Sequence, residues 1–441
     1  MYKRQVYVGD NRNRGNFGCR ATSTALAQII EKNNEIVGTV TGRYTNNDTG
    51  ELFYYKYIPT WFYKWVGKKS SWKYFKPAFY MLFRMIRKGR QYIFSNYDYL
   101  EYNLDACINN FIRCLPANPH LKEFDLRQYD FDALVVNGEG SFIFRIPAWR
   151  ECINEAMLMH WALKMGKKVY YMNGMLSDDP FTKRNQEVVK LVKPLFEQSQ
   201  IVGVRESYSE SFARENFPNA NIKFYPDALF TWYDYINDDV TISNGRYIMG
   251  PSGADNKSFN DYDFTKPYIC VSGSSSIGKA TNNISEAVDI YCKLVNSLKG
   301  RLKQKIFLVE VCEGDNFLRE VSRKTNTGLI SIDTPILAAA KILANADAYV
   351  SGRYHPAILA SQGGTPCVFM SSNSHKTKSL QELLQYEFVH EYYVLPSDLE
   401  IEEMVNQTRD VISAGKVLRD RIQKRCLKLK EMALKMELNL R

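Results

Sequence analysis

An arginine and a histidine stand two residues apart in the run Tyr349-Val-Ser-Gly-Arg-Tyr-His-Pro-Ala-Ile-Leu-Ala-Ser-Gln-Gly-Gly-Thr-Pro-Cys-Val-Phe-Met370. A strand is expected to end at Val350, with Arg353 and His355 on the turn that follows. Pro356 then takes the first helical position, where its missing N–H costs nothing. His355 is thereby set at a helix N-terminus, whose free N–H groups and dipole favour an anion. Arg353 adds a planar donor fork suited to carboxylate or phosphate. An imidazole with a pKa of about 6.5 can give or take a proton near neutrality. The chemistry within reach is therefore anion binding beside a proton transfer, although a βα turn with one His and one Arg also occurs as plain structure. In the loop after the last strand, His375 and Lys376 can reach the same cleft from its edge, Lys376 as a point charge for phosphate. His120, His160 and His390 have no motif around them and read as structural.

Positioning these groups requires strands that end where the turns begin. Short β-branched or aromatic runs alternate with helical patterns, which predicts βα units and parallel sheets. Strands are expected over 5–8, 133–136, 168–172, 200–204 and 223–225, with helices over 21–31, 150–165, 185–197 and 207–216. A polar stretch over 230–266 interrupts the rhythm. It restarts with strands over 268–272, 305–311, 348–350 and 367–370 and helices over 284–298, 335–344 and 356–362. The expected fold is α/β: two Rossmann-like doubly wound domains in a GT-B-like arrangement, with the cleft between them. The boundaries are an N-terminal domain over 1–235 carrying an insertion at about 38–120, a linker over 236–265, a C-terminal domain over 266–400 and a helical tail over 401–441.

With 441 residues, 45% hydrophobic and 24% charged, the chain is neither disordered, collagenous nor a coiled coil as a whole. Its net charge of +10 favours an acidic partner: a phosphorylated small molecule, nucleic acid or an anionic membrane surface. Residues 51–100 hold ten basic side chains against two acidic ones, interleaved with aromatics such as Trp61, Trp65 and Trp72. That mixture fits a membrane-interface element, and it also fits a cap with its Lys and Arg in water. It matches no nucleic-acid recognition motif, so none is expected as a partner. Nine scattered cysteines form neither a C-x-x-C pair nor a Cys/His cluster, which predicts reduced thiols and no metal. No window reaches the roughly 18 apolar residues of a membrane span. The expected location is the cytoplasm, at most peripherally on the inner face of the membrane.

The run around Arg353 also resembles the C-terminal motif of the polysaccharide pyruvyl transferase family, in which Ser-x-Arg-x-His opens a helix and Gly-x-Pro precedes the next strand. Val135-Val-Asn-Gly-Glu-Gly-Ser-Phe142 is similar to that family's Gly-rich turn, Val204-Arg-Glu-Ser-Tyr-Ser209 to its Arg-Asp/Glu-x-x-Ser, and Pro226-Asp-Ala-Leu-Phe230 to its Asp-containing turn. Asn16-Phe-Gly18 resembles the N-terminal loop. The resemblance implies transfer of a pyruvyl group from phosphoenolpyruvate, without a cofactor, to a sugar of a cell-surface polysaccharide or its lipid-linked precursor, forming a ketal. By the same resemblance Arg205, Arg353 and His355 are the catalytic residues and Asn16, Gly18, Asn137, Gly138, Glu139 and Ser351 bind substrate, with Lys376 added as a donor-phosphate contact. Two departures from the pattern are visible: a longer Asn/Arg-rich loop after Gly9-Asp10, and Glu139 in place of a Gly. Glu139 reads equally as a local cap or as a partner of an acceptor hydroxyl, and Asp227 also reads as a turn residue.

Two other functions fit parts of the chain. A GT-B glycosyltransferase using a nucleotide sugar would place a diphosphate at the same helix start, yet Glu382, Glu387 and Glu391 lack the Glu-x(7)-Glu spacing that would hold a ribose. A non-catalytic membrane-docked protein would use the basic-aromatic block and leave the cleft inert.

Overall fold

The computed structural model describes residues 3–41, 99–117, 119–237 and 262–440. The basic-aromatic block over 51–98 and most of the linker lie outside them. The first sheet comprises β1 (Lys3–Asp10), β2 (Asn34–Thr41), β3 (Ala133–Phe144), β4 (Lys168–Asp178), β5 (Ile201–Val204) and β6 (Ile222–Phe224), in the order β2-β1-β3-β4-β5-β6. Its helices are α1 (Phe17–Glu31), α2 (Leu104–Cys114), α3 (Arg150–Lys164), α4 (Gln186–Gln198), α5 (Ser207–Asn216) and the short α6 (Tyr233–Asn237). The second sheet runs β11-β10-β7-β8-β9, from β7 (Tyr268–Ser274), β8 (Lys305–Val309), β9 (Gly328–Ile330), β10 (Ala348–Gly352) and β11 (Cys367–Phe369). Around it lie α7 (Ile277–Ala280), α8 (Ile284–Arg301), α9 (Phe317–Thr325), α10 (Ile336–Asn345), α11 (Tyr354–Gln362) and α12 (Lys376–Leu383). Among the described residues every strand pair is parallel.

Strands covered on both faces must be apolar along their length. β4 exposes only its two end residues, and β7 and β10 expose none. Along β1 and β3 the side chains alternate between two cores: Tyr7, Ala133 and Val135 face one, Val6, Val8, Leu134 and Val136 the other. Both sheets are doubly wound, so each has a point where the chain reverses direction of travel, between β1 and β3 in the first and between β7 and β10 in the second. Crevices at such points receive ligands in open α/β sheets.

The tail ties the two domains together. Helix α13 (Asp398–Ser413) opens on a capping box of Ser397 and Glu400, and buries Ile401, Met404 and Val405 against the second domain. Helix α14 (Gly415–Asn439) carries a stripe of Ile422, Cys426, Leu429, Ala433 and Met436 that joins Leu26 and Ile30 of α1 in one core. Beyond it, the Leu440 carbonyl accepts from Gln5 of β1 at 3.2 Å. Near its start the Arg419 fork donates to the carbonyls of Ala344, Ala346 and Gly363, satisfying the C-terminal ends of α10 and α11.

The alternation in the sequence predicts this architecture, and it differs in local detail. The glycines at 138 and 140 predict a turn after Val136, whereas β3 continues through them to Phe144, pairing Asn137 with Met172 and Glu139 with Gly174 of β4. The glycines serve close approach instead. A Cβ at Gly138 or at Gly174 would fall 2.2 or 2.1 Å from the Tyr171 ring, so only bare backbone fits under it. Residues 38–41 and 104–114, assigned by pattern to the insertion, form part of β2 and the whole of α2 within the first domain. Elements α9 and β9 were not anticipated: one is short and highly charged, the other three residues long. Among the described residues no helix is long and apolar enough to cross a membrane.

Candidate active site

Between the sheets, at both crossover points, lies a cleft of about 790 Å³. The end of β1 and the chain after it supply Asp10, Asn11, Asn13, Arg14, Asn16 and Cys19, β3 supplies Glu139 to Ser141, and the segments after β7 and β10 supply Ser275, Arg353 and His355. Asn16 caps α1 by accepting from Cys19 N–H at 3.1 Å. The same helix start is pinned to the second domain, because Phe17 N–H donates to the Val311 carbonyl at 3.2 Å and Asn16 bridges Cys312. Gly18 makes that approach feasible: a Cβ there would lie 2.9 Å from Cβ of His355.

Arg205, at the end of β5, is 2% exposed. A guanidinium so buried needs compensation. Asp227 Oδ2 accepts from its Nη1 at 2.8 Å, Glu206 lies 3.6 Å from Nε, and the Tyr354 ring lies beneath it with the centroid at 4.9 Å. His355 Nε2 completes the group, 3.2 Å from Arg205 Nη1 and 3.3 Å from Asp227 Oδ2. Arginine only donates, so a neutral His355 accepts at Nε2 and carries its proton on Nδ1. A charged ring instead donates Nε2–H to Asp227. Burial alone would raise the Asp227 carboxyl, but the His355 ring and then Arg205 hold it well below the usual carboxylate range.

Arg353 faces a second buried carboxylate. Its Nε and Nη2 donate to Asp315 at 3.1 and 2.6 Å. That engages one edge of the fork and leaves Nη1 for a ligand. Burial raises the Asp315 carboxyl even with Arg353 beside it. Lys376 begins α12 and lines the cleft, its Nζ donating to Asn373 Oδ1 at 2.7 Å. Burial, then the charges of Arg205 and Arg353, push its ammonium down to about 8.

On the opposite wall Glu139 is 7% exposed and holds a positive φ of 30°, a left-handed value that a non-glycine residue takes up only under constraint. Its Oε1 accepts from Asn11 Nδ2 at 2.8 Å, Ser23 Oγ at 3.1 Å and Asn137 Nδ2 at 3.2 Å. Cys19 lies close by, and burial followed by the Glu139 charge pushes its thiol up. One donor atom each from Cys19, Glu139 and His355 lies within 4.8 Å of the others.

The residues singled out in the sequence thus fall into two groups. Arg205, Arg353, His355, Lys376, Asn16 and Glu139 line the cleft. Ser351 lies behind the turn, where its Oγ accepts from Arg353 N–H at 2.9 Å. Asn137 lies beneath Glu139, bonded to Ser23 and the Gly9 carbonyl, while Gly138 is under Tyr171 and Gly18 behind His355. Sequence reasoning did not identify Asp315, Cys19, Arg14 or Trp149 as cleft or partner residues. Asp315 sits in the Glu-Gly-Asp turn after β8, a signal that a short acidic turn at a strand end could have given.

Among curated protein sequences none matches the chain significantly. UDP-GlcNAc 2-epimerase from Neisseria meningitidis, solved bound to UDP-GlcNAc, superposes with a TM-score of 0.50 at 10% identity, covering 99% of this chain and 100% of that one. Arabidopsis thaliana UGT89C1, complexed with UDP-L-rhamnose, gives a TM-score of 0.50 at 10% identity and covers 99% of each chain. At such identity the likeness is one of fold, the GT-B arrangement of two domains about a cleft. The family model for polysaccharide pyruvyl transferase matches residues 16–374, from the cap of α1 through the Arg353 turn to the threshold of α12. With four fifths of its length in that match, the chain belongs to the polysaccharide pyruvyl transferase family.

Proposed function

We propose that the enzyme moves the pyruvyl group of phosphoenolpyruvate onto a sugar of a cell-surface polysaccharide or its lipid-linked precursor, closing a ketal. The observation that carries this reading is the convergence of three cations at three helix starts. Arg205 precedes α5, Arg353 precedes α11 and Lys376 opens α12. The dipole disfavours a cation at a helix N-terminus, so three together make sense for an anion held among them. Phosphoenolpyruvate offers a carboxylate and a phosphate to such a ring.

Arg353 Nη1 and Lys376 orient the donor, and Asp227, anchored by Arg205, holds the protonated His355 through Nε2–H. A protonated His355 gives its proton to C3, leaving an electrophilic, oxocarbenium-like C2. One sugar hydroxyl adds there and its proton passes to Glu139. The C2–O bond to phosphate then breaks, and the second hydroxyl adds to C2, its proton passing to the now neutral His355, closing the ketal and releasing inorganic phosphate. Trp149, backed by Arg145 at 5.6 Å, supplies an apolar ring for a sugar face. The chemistry belongs in the cytoplasm, with residues 51–100 as the segment that meets an anionic membrane surface. The helix starts would suit the diphosphate of a nucleotide sugar as well, but the glutamates that could hold its ribose are engaged elsewhere. Glu382 accepts from Ser207 and Tyr208, Glu387 pairs with Arg421, and Glu391 lies 4.0 Å from Lys378. The test is to incubate the purified enzyme with phosphoenolpyruvate and a panel of nitrophenyl sugars. Acceptor-dependent phosphate release with a matching gain in acceptor mass is expected; no reaction with phosphoenolpyruvate, together with sugar transfer from a nucleotide sugar and release of its nucleotide, would overturn the reading.

A further inference from the structure

The proposed transfer gives no role to Cys19, although it stands in the first turn of α1 facing the two groups that do proton chemistry. Its sulfur, a Glu139 carboxylate oxygen and a His355 ring nitrogen come from three separate elements and lie within 4.8 Å of one another. We propose that Cys19, Glu139 and His355 form a binding site for a thiophilic divalent cation, zinc foremost, and that the bound ion inhibits the enzyme by taking His355 out of acid–base chemistry. The site itself stands apart from the pyruvyl transfer reading; only the inhibition rests on it.

A thiolate, an imidazole and a carboxylate with a fourth position open make a zinc-type set, whereas magnesium or calcium would ask for oxygen alone. Bonds of about 2.0–2.3 Å place tetrahedral ligands roughly 3.3–3.8 Å apart. The three atoms already lie within 4.8 Å of one another, so at most about 1–1.5 Å of approach is needed, which rotation of the Cys19 side chain supplies. The thiol loses its proton to solvent as the sulfur–metal bond forms. Thiolate and carboxylate then offset the two charges of the ion, so the filled site carries no net charge beside Arg205 and Lys376.

The surroundings match a metal centre in a second respect. A ligating histidine ordinarily donates its other N–H to a carboxylate. Here Nε2 lies 3.3 Å from the fully buried Asp227, which leaves Nδ1 for the ion. Glu139 is braced likewise: its three hydrogen bonds all go to Oε1, and the other oxygen is left for coordination. The pinning of α1 to the second domain through Phe17 and Gly18 fixes Cys19 relative to His355. The fourth position opens to the cleft, where water or an anion can complete the shell.

The test uses the full-length chain, reduced and freed of metal with a chelator, titrated with Co²⁺ and then Zn²⁺ and read by absorbance and calorimetry. One cobalt per chain is expected, with a near-ultraviolet thiolate-to-cobalt band that zinc abolishes by displacement. Cys19→Ala should remove the band, and Cys19→Ser serves as a second variant should alanine disturb the fold. Glu139→Gln and His355→Ala should each weaken zinc binding by about tenfold or more, and Asp227→Asn, with all three ligands in place, by roughly 10- to 100-fold. The proposal is overturned if the wild-type chain takes up no stoichiometric cobalt, if the band survives in both folded Cys19 variants, or if His355→Ala binds zinc as tightly as wild type. These readouts need no turnover, so they stand whether or not phosphoenolpyruvate proves to be the donor.

Discussion

In one part of the cleft Arg205, Arg353 and Lys376 converge, and in the other the amides and hydroxyl of Asn11, Asn137 and Ser23 surround the Glu139 carboxylate. The cationic end is built from turns that precede helices, each turn contributing one charge. Such charges are stable in a buried setting only because aspartates meet them: Asp227 for Arg205 and Asp315 for Arg353. The Glu139 end is built differently. Asn11, Ser23 and Asn137 come from a loop, a helix and a strand, and they share one oxygen of a residue held at positive φ. One end is preorganised by charge pairs, the other by a hydrogen-bond network and local constraint. Substitutions at the two ends should therefore fail in different ways.

The largest effect is expected where the ends meet. His355→Ala should lower turnover by a factor on the order of 10² to 10⁴ while leaving donor affinity nearly intact, if the imidazole carries a proton in the slow step. Full turnover in the folded variant, without added imidazole, would move proton transfer elsewhere. Next comes Asp315→Ala, which strands Arg353 in a pocket shaped for a pair. A loss of about 3 kcal/mol in urea unfolding is expected. Arg353→Ala should weaken donor use by about 1.5–3 kcal/mol, tenfold to hundredfold in kcat/KM for phosphoenolpyruvate. If Asp315→Ala were as stable as wild type, the charge-pair account of the cationic end would fail.

Glu139→Gln tests the other end. The amide oxygen can still accept from Asn11, Ser23 and Asn137, so folding should be unchanged, but no proton can be taken from a sugar hydroxyl. Acceptor-dependent turnover should fall by a factor on the order of 10². A glutamine variant with wild-type turnover would show that the carboxylate only organises its network, and would remove the chemical half of the comparison.

The same contrast governs what was legible in the sequence. The cationic end lies in contiguous turns, where strand end, helix start and Pro356 sit within a few residues of Arg353 and His355. Local patterning places the Arg353 turn to within two residues: β10 runs on to Gly352 instead of ending at Val350, and α11 opens at Tyr354, with Pro356 its third residue rather than its first. The βα alternation is enough for the two sheets as a whole but not for the edge strands β2 and β9. The partners were not legible: Asp315 is 38 residues from Arg353, and Cys19 meets His355 only once the two domains pack. Asn137-Gly-Glu-Gly140 misled for another reason. Glycine signals either a turn or a close approach, and only the Tyr171 ring, distant from Gly138 in the sequence but against it in the fold, decides for the second.

The smallest expected effect is a pH dependence confined to the cationic end. Lys376 is held at about 8 by burial and by Arg205 and Arg353. Below that pH its ammonium is charged and can meet the donor phosphate; above it the amine becomes neutral and the contact loses its charge. Bound phosphate would itself favour the ammonium, so the midpoint should lie higher in the donor complex than in the free enzyme. Donor kcat/KM, which reports the free enzyme, should accordingly decline as pH rises through about 8, by up to about tenfold. Lys376→Arg stays charged throughout this range and should abolish the decline if its longer side chain still reaches the phosphate. Lys376→Met should sit at the low plateau at every pH. A decline that persists unchanged in Lys376→Met would assign the titration to another group and leave the anion to Arg353 and the helix starts alone.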